Sequence, residues 1–441
     1  MRIAWQLILL TLFALKGVTH PYDSPPPTAA ESGKATPQFM VYVSEDQLWL
    51  TTYDGSDTPQ RGQVIDRCQP EPAYCWFANL RWSPTGEYLL YLKVQGDQAR
   101  YHLLDRQGQR RALPGNADNG RGLSAPVWSA TGQSLLYTEV AGLRRIDAPF
   151  TDDGRIIGVL TNFGDSSCGG GGYPASELVY WQEGLGTFPH MSLPGHLAWL
   201  ANDRLLYSRH CTGTGMGQFA LQTGAELPML DDDRLLLFTT NQARSHWAAI
   251  TWDHHLAIGS ADAGLIGTRP VAEKIPSLDE PGSMNQPGAT LAGGVFYGPV
   301  SDRLYYTTRQ LQQWVQLTEE QFFGLEPAVQ DRFVSTPHFP IYQTTLFATT
   351  TADWQQAQIV WQGDAYGIGN VTDAANGDLL FVRVDNGQAL YETLQADPTL
   401  AEMQDTWPKP QIIRLPADGD APQILLDNAG QLALAPLFNE P

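Results

Sequence analysis

Apolar residues in this chain come in short runs separated by glycine, proline and small polar residues, a pattern that predicts strands and turns rather than amphipathic helices. One unit is especially clear. Leu80-Arg81-Trp82 is followed by Ser83-Pro84-Thr85-Gly86 and then by Glu87-Tyr88-Leu89-Leu90-Tyr91. Serine, proline and glycine in this order suit a tight turn, because proline presets φ and glycine accepts the exit geometry. The strand after the turn is aliphatic or aromatic at successive positions, so both of its faces need burial, as in a sheet held between two neighbours. Further strands follow at residues 101–104 and 110–113, joined by the turn Asp105-Arg106-Gln107-Gly108, and the unit reads as a four-stranded meander.

The unit returns. Val127-Trp128-Ser129-Ala130-Thr131-Gly132 with Leu135-Leu136-Tyr137 is the nearest copy, and Leu197-Ala198-Trp199 with Arg204-Leu205-Leu206-Tyr207 keeps the tryptophan and the Leu-Leu-Tyr. Looser copies are residues 235–238 with 246–250, Val295-Phe296-Tyr297 with Arg303-Leu304-Tyr305-Tyr306, and Asn376-Gly377-Asp378-Leu379-Leu380-Phe381. Second strands are therefore expected to begin near Phe39, Glu87, Gln133, Arg204, His246, Arg303 and Asp378, at intervals of 48, 46, 71, 42, 57 and 75 residues. Three intervals match a repeat of roughly 40–50 residues, and the longer ones leave room for insertions.

Trp82-Ser83-Pro84-Thr85-Gly86 followed by Leu89-Leu90-Tyr91 resembles the TolB-type, WD-like repeat, in which a Trp-Ser-Pro-Asp-Gly hairpin precedes two apolar residues and an aromatic. The next copy replaces the proline by Ala130, and the others keep only parts of the motif. The resemblance implies an all-β fold, a β-propeller of four-stranded antiparallel blades. It brings no catalytic residues, because the repeat is structural, and it implies extracytoplasmic contacts with other proteins.

The chain ends suit a closed ring. Residues 39–44 and 47–53 read as second and third strands with no first strand ahead of them, whereas residues 423–426 supply a last outer strand and 431–436 one strand more. That extra strand is expected to complete blade one, so that interlocked termini leave no unpaired edge. The count is seven blades, or six if residues 234–262 merge with a neighbour. Residues 1–20 are read as a signal peptide or membrane anchor, 21–37 as a proline-rich linker, and 38–441 as a single propeller domain with insertions near 164–193 and 310–342. The second insertion is polar, contains Phe322, Phe323 and Phe333, and is expected to be partly helical. Both insertions are expected on one face of the disc, where loops carry recognition.

Export is read from the N-terminus. Met1-Arg2 precede an apolar run at residues 4–15, the length of a signal h-region and short for a bilayer span, and Lys16 ends it. No small-x-small site and no cysteine near residue 20 follow, so cleavage and retention as an anchor both stay open. The expected location is secreted, periplasmic or attached to the cell envelope. In such an oxidising compartment Cys68, Cys75, Cys168 and Cys211 are disulfide candidates; Cys68–Cys75 with Cys168–Cys211 is the favoured pairing, and free thiols are the alternative. With 27 Lys+Arg against 47 Asp+Glu the formal net charge is −20, which disfavours nucleic acid and anionic lipid as partners. A membrane is expected to be met only through an N-terminal anchor.

No catalytic, cofactor-binding or metal-binding set emerges. Phe163-Gly164-Asp165-Ser166 is similar to the nucleophile block of GDS-type esterases, but no histidine has an aspartate three residues before it. Gly164-Asp165-Ser166-Ser167-Cys168-Gly169 is faintly similar to the serine block of chymotrypsin-like proteases, yet Ser167 interrupts it and no Ala-His-Cys block supplies a base. No GxSxG motif marks an accompanying hydrolase domain. Asp253-His254-His255 with His246 is a weak metal candidate, because adjacent histidines on a strand point to opposite faces. Asp231-Asp232-Asp233 and Asp152-Asp153-Gly154 lack the alternating spacing of a calcium loop. Trp82, Trp128 and Trp199 share one repeat position and are expected in the core. Trp181, Trp252 and Trp354 fall outside that register and are candidate surface contacts.

The expected function is a non-catalytic platform that binds a protein or peptide and uses no cofactor. One alternative is a propeller hydrolase or lyase working in the central funnel, which would need convergent carboxylates or histidines at first-strand ends, and no repeated set of these is present. The other is a glycan or small-ligand sensor.

Overall fold

The computed structural model describes Leu12–Phe13 and most of residues 37–436; it leaves out 57–61, 70–74, 115–116, 119–124, 140–141, 163–175, 183–185, 188–190, 194–196, 209–215, 224–225, 228–234, 273–287, 319–337, 385–387, 389–391, 394–408 and some isolated positions. Among the described residues the strands form seven antiparallel sheets, each built on a run of four neighbouring strands, with additional strands in three of them. The second strands begin at Gln38, Tyr88, Ser134, Arg204, His246, Arg303 and Leu379, within one residue of the positions that the repeat predicts. The turns ahead of them close as their composition requires: Gly86 N–H donates to Ser83 O at 2.7 Å, Gly132 N–H to Ser129 O at 3.0 Å and Gly377 N–H to Ala374 O at 2.9 Å. All three glycines have positive φ.

Burial shows that the sheets form a ring. In each second strand successive side chains pack against different neighbours. Leu89 and Tyr91 of blade two join Val41 and Leu48 of blade one, while Leu90 joins Trp128, Leu135 and Ile146 of blade three. Val127, Leu136 and Leu143 meet Leu197, Trp199 and Tyr207 of blade four, and Ala198, Leu200 and Leu206 meet Trp247 and Ala249 of blade five. Ile250 and Ile258 meet Val295 and Tyr306 of blade six, and Tyr305 and Leu346 meet Ile368 and Phe381 of blade seven. The last core returns to the start: Leu380, Val382 and Ile412 of blade seven pack with Met40, Tyr42 and Tyr53 of blade one. The molecule is a seven-bladed β-propeller, and residues 234–262 supply a blade of their own.

Closure uses the C-terminal strand. Ala429–Leu434 pairs antiparallel with Gln38–Ser44, Val41 opposite Ala433, and is the inner strand of blade one. Gln38 fastens the seam: its Nε2 donates to Ala435 O at 3.0 Å, and its Oε1 accepts from Ala375 N–H at 2.6 Å.

Two stretches differ from their sequence expectation. Within the first insertion, Ser176–Gln182 pairs with the outer strand Arg155–Asn162, and Met191–Leu193 pairs with Ser176–Gln182, so blade three continues outward. Leu178-Val179-Tyr180 is β-prone, and the added strands cover an edge that would otherwise stand open. Within the second, residues 310–316 and 338–342 are strand, and residues 319–337, where a helical part could fall, lie outside the described residues. A further short strand, Leu12–Phe13, pairs with Tyr366 and Ala365 of blade seven.

Because neighbouring strands alternate in direction, all first-to-second and third-to-fourth turns lie on one side, here the turn face. All second-to-third and blade-to-blade connections lie on the other, the loop face. The chain leaves Asn162 and Gln316 toward the loop face, so both insertions open on the same side of the disc.

Candidate functional site

The most developed feature of the loop face belongs to blade six. Its middle strands, Arg303–Gln316 and His338–Thr350, are 14 and 13 residues long. The inner strand pairs with the first only as far as Thr290↔Gln310, and the outer strand with the second only from Thr344↔Gly363. The two go on pairing with each other through Leu311↔Tyr342, Gln313↔Ile341, Trp314↔Pro340, Val315↔Phe339 and Gln316↔His338, and beyond Leu311 no other strand among the described residues pairs with them. At ~3.3 Å per residue this two-stranded arm reaches ~15–20 Å beyond the sheet. The register shifts between Leu311 and Gln313, at the base of the arm.

The base of the arm is wedged between blades. Leu311, Ile341 and Tyr342 are buried. Leu311 N–H donates to Ala289 O at 2.8 Å, and Gly288 N–H donates to Leu311 O at 2.6 Å. The Arg309 guanidinium lies 5.4 Å from the Tyr342 ring centre, and Tyr342 meets the Tyr366 ring edge-on at 6.1 Å. Burial raises the pKa of both hydroxyls, with the Arg309 charge opposing it. In blade five, burial lowers the pKa of His254 and Arg309 lowers it further. One guanidinium of blade six therefore acts on groups of blades five, six and seven.

Asp364, at the crossing from blade six to blade seven, is pushed up to about 6 by burial, against the pull of Arg383. The crossing is fixed by Thr344 Oγ1, which donates to Ala365 O at 2.5 Å. Beside the arm, Arg269 donates to the Tyr306 hydroxyl at 3.0 Å and sits 5.3 Å over its ring, and Tyr306 stacks on Phe347 at 4.8 Å. Tyr306, Tyr342 and Tyr366 are buried, so these guanidinium contacts fix blade six against its neighbours.

The residues singled out from sequence are dispersed. His246 opens the second strand of blade five at the turn face, and His255 opens the third at the loop face, so they do not meet. Buried His254 accepts the Ala292 N–H at Nδ1, 3.2 Å away, which makes it a brace between blades five and six. Asp152 and Asp153 form a turn held by Arg111, whose Nη2 donates to Asp152 O at 2.5 Å and to Asp153 Oδ1 at 3.1 Å. Trp128 and Trp199 are each 1% exposed, and Trp82 is half-buried with its Nε1 donating to Ala433 O at 3.3 Å. Trp354 is not a surface contact: it is 9% exposed, packs in the core between blades five and six, and would lie 2.9 Å from a Cβ added at Gly267. Trp181 is opposite Thr187 in the added strands of blade three.

Cys68 and Cys75 form a disulfide that closes the connection from blade one to blade two. Cys168, Cys211, Trp252, the Gly164-Asp165-Ser166 stretch, Asp231-Asp232-Asp233, Phe322, Phe323 and Phe333 lie outside the described residues. Sequence reading missed Arg309, Tyr342, Asp364 and Tyr366. The available signal was length: the run from Leu304 to Val315 exceeds a blade strand while keeping β-prone residues to its end.

No family profile and no curated sequence matches the chain. Solved structures do resemble it in shape. A candidate 6-phosphogluconolactonase from Bacteroides uniformis has 11% identity and a TM-score of 0.47, over 90% of this chain and 99% of that one. A protein from Lactobacillus plantarum has 9% identity and a TM-score of 0.46, with the same coverages of 90% and 99%. Oligogalacturonate lyase in complex with manganese has 13% identity and a TM-score of 0.45, over 90% and 86%. Likeness at this level assigns no activity, and the propeller assignment rests on the cyclic order of the seven cores.

Proposed function

We propose that this chain is an exported, non-catalytic propeller of the TolB-type kind that docks a protein or peptide on its loop face. The observation that carries the reading is the blade-six arm, two strands prolonged past their own sheet on the side where the longest connections open. Two paired strands present backbone groups along their edges and side chains on two sides, which suits an extended partner segment. The Cys68–Cys75 disulfide is compatible with export, and no helix among the described residues is long and apolar enough to cross a membrane.

The test compares the intact chain with one in which residues 312–341 are replaced by a short turn, in a pull-down from envelope extract and on a glycan array. The reading expects a specific protein retained by the intact chain alone and no glycan signal. Retention that ignores the arm, or glycan binding, would overturn it.

A second reading, an enzyme of the funnel, is favoured by Asp364. A carboxyl pushed up to about 6 by burial, against the pull of Arg383, has the protonation behaviour of a general acid–base. Turnover of lactones or uronides that is lost in Asp364→Asn would establish it.

A further inference from the structure

The turn face holds a second unusual pair. Arg81 is the penultimate residue of the inner strand of blade two, and Arg244 lies in the first-to-second turn of blade five. Blades two and five stand across the ring from each other. Their turns nonetheless meet, with Gln242 Nε2 3.5 Å from Pro84 O. The neighbouring turns join the same throat: Ala201 N–H of blade four donates to Arg244 O at 2.9 Å, and a Cβ at Gly132 of blade three would lie 3.3 Å from the Pro84 ring.

Burial lowers the pKa of Arg244 to about 10, and the charge of Arg81, brought near by the meeting of the two turns, lowers it further. Among the described residues neither has a carboxylate partner. Arg81 keeps an exposed side chain; burial of part of its surroundings lowers its pKa, with Tyr101 opposing the shift. Arg244 donates from Nη1 to Thr240 Oγ1 at 2.5 Å, while its Nε is buried with no acceptor. Two like charges carried by turns that meet, with no carboxylate partner among the described residues, leave a gap of the opposite sign in a chain of net charge −20.

We propose that Arg81 and Arg244 form an oxyanion site at the turn-face throat of the channel, which takes the phosphate or carboxylate group of a small anionic ligand. Planar guanidinium forks match both groups, and the buried Nε donor of Arg244 gives the anion a fixed hydrogen bond besides charge. The site is independent of docking at the loop face.

The test is calorimetric titration of the full chain with inorganic phosphate and, separately, with succinate, each at ionic strength held constant with chloride. Saturable 1:1 binding of either anion is expected, and the one that binds identifies the group. Arg81→Gln is expected to weaken binding about tenfold or more, and Arg81→Lys, which keeps the charge and loses the fork, by less. With no oxyanion present, Arg81→Gln should melt no lower than the parent, because the repulsion is relieved. Added phosphate or succinate should then raise the melting temperature of the parent alone. No saturable binding of either anion, or equal binding by the parent and Arg81→Gln, would overturn the proposal. Binding retained by the chain without residues 312–341 separates this site from the arm.

Discussion

The Tyr53 hydroxyl of blade one donates to the Asp378 carboxylate of blade seven, 325 positions away in the chain. Asp378 is buried and also accepts from Arg414 Nε at 2.7 Å, Asn376 Nδ2 at 2.7 Å and Ala417 N–H at 2.9 Å. It therefore ties the first turn of the last blade to the first blade on the turn-face side of the seam. Tyr53→Phe removes one donor of several and is expected to cost about 1–2 kcal/mol. Asp378→Ala removes the carboxylate that faces the Arg414 guanidinium, whose side chain is 11% exposed, together with the acceptor of three further donors, and is expected to cost about 3–5 kcal/mol. Urea denaturation of both variants gives the order; equal effects would place the stabilisation elsewhere.

Acid should loosen the outer contact between blades one and two. His102 stacks on Tyr91 at 5.3 Å and has its pKa lowered to about 4, chiefly by burial and then by Arg110. A histidine with a folded pKa below its ordinary value of 6.5 takes up its proton more readily in the unfolded chain, so stability falls as pH drops from about 6.5 to 4. Allowing for partial exposure, the loss is about 1–2 kcal/mol. Asp66 continues the trend at lower pH. Burial raises its pKa, but hydrogen bonds from Lys93, Tyr91 and Arg110 bring it below its ordinary value, so its contribution disappears only as the carboxylate itself protonates. In His102→Gln the slope between pH 6.5 and 4 should flatten while the steeper loss at lower pH remains.

Gly259 tests the packing between strands of blade five. A Cβ there would overlap the Trp247 ring and come 2.6 Å from Gly264 O, and Trp247 is fully buried. Gly259→Ala should cost about 1–3 kcal/mol. Gly108, where a Cβ meets nothing within 4 Å but φ is +80°, should lose only the conformational share, about 1 kcal/mol. Thermal melts of the two variants distinguish overlap from backbone strain.

Opening the Cys68–Cys75 disulfide releases a loop with a sequence separation of 7. Chain entropy sets the cost of Cys68→Ser with Cys75→Ser at about 2 kcal/mol, with the propeller still folded, because both flanking strands keep their own cores. Circular dichroism with a denaturation midpoint reads both. Loss of folding would show that the loop nucleates blade two.

Much of the fold was legible because it is written locally. Ser83-Pro84-Thr85-Gly86 and its relatives fix turns within four residues, and the strands after them announce two-sided burial by composition. The closing strand was legible because Gln38–Ser44 lacks a predecessor, and a ring has one place to find it. The sites were not legible, for the opposite reason. Arg309, Tyr342 and Tyr366 come together only through the packing of blades six and seven. Arg81 and Arg244 are far apart in sequence, and only the meeting of their turns across the ring brings them near each other. A trace of Arg81 existed: it occupies a repeat position that is Val127 and Ala198 in the next two blades. Trp354 misled because it sits in a turn, away from the tryptophan register, and its burial depends on the space left by Gly267.

Closure of the ring by the C-terminal strand is most directly tested by oxidative cross-linking. Val41 and Ala433 are paired Cα partners on Gln38–Ser44 and Ala429–Leu434. A chain carrying Val41→Cys and Ala433→Cys should form that bond within one molecule, seen as a linked peptide by mass spectrometry in the monomer band. Cross-linking only between molecules, or none under conditions that keep Cys68–Cys75 oxidised, would contradict a ring completed by its own C-terminus.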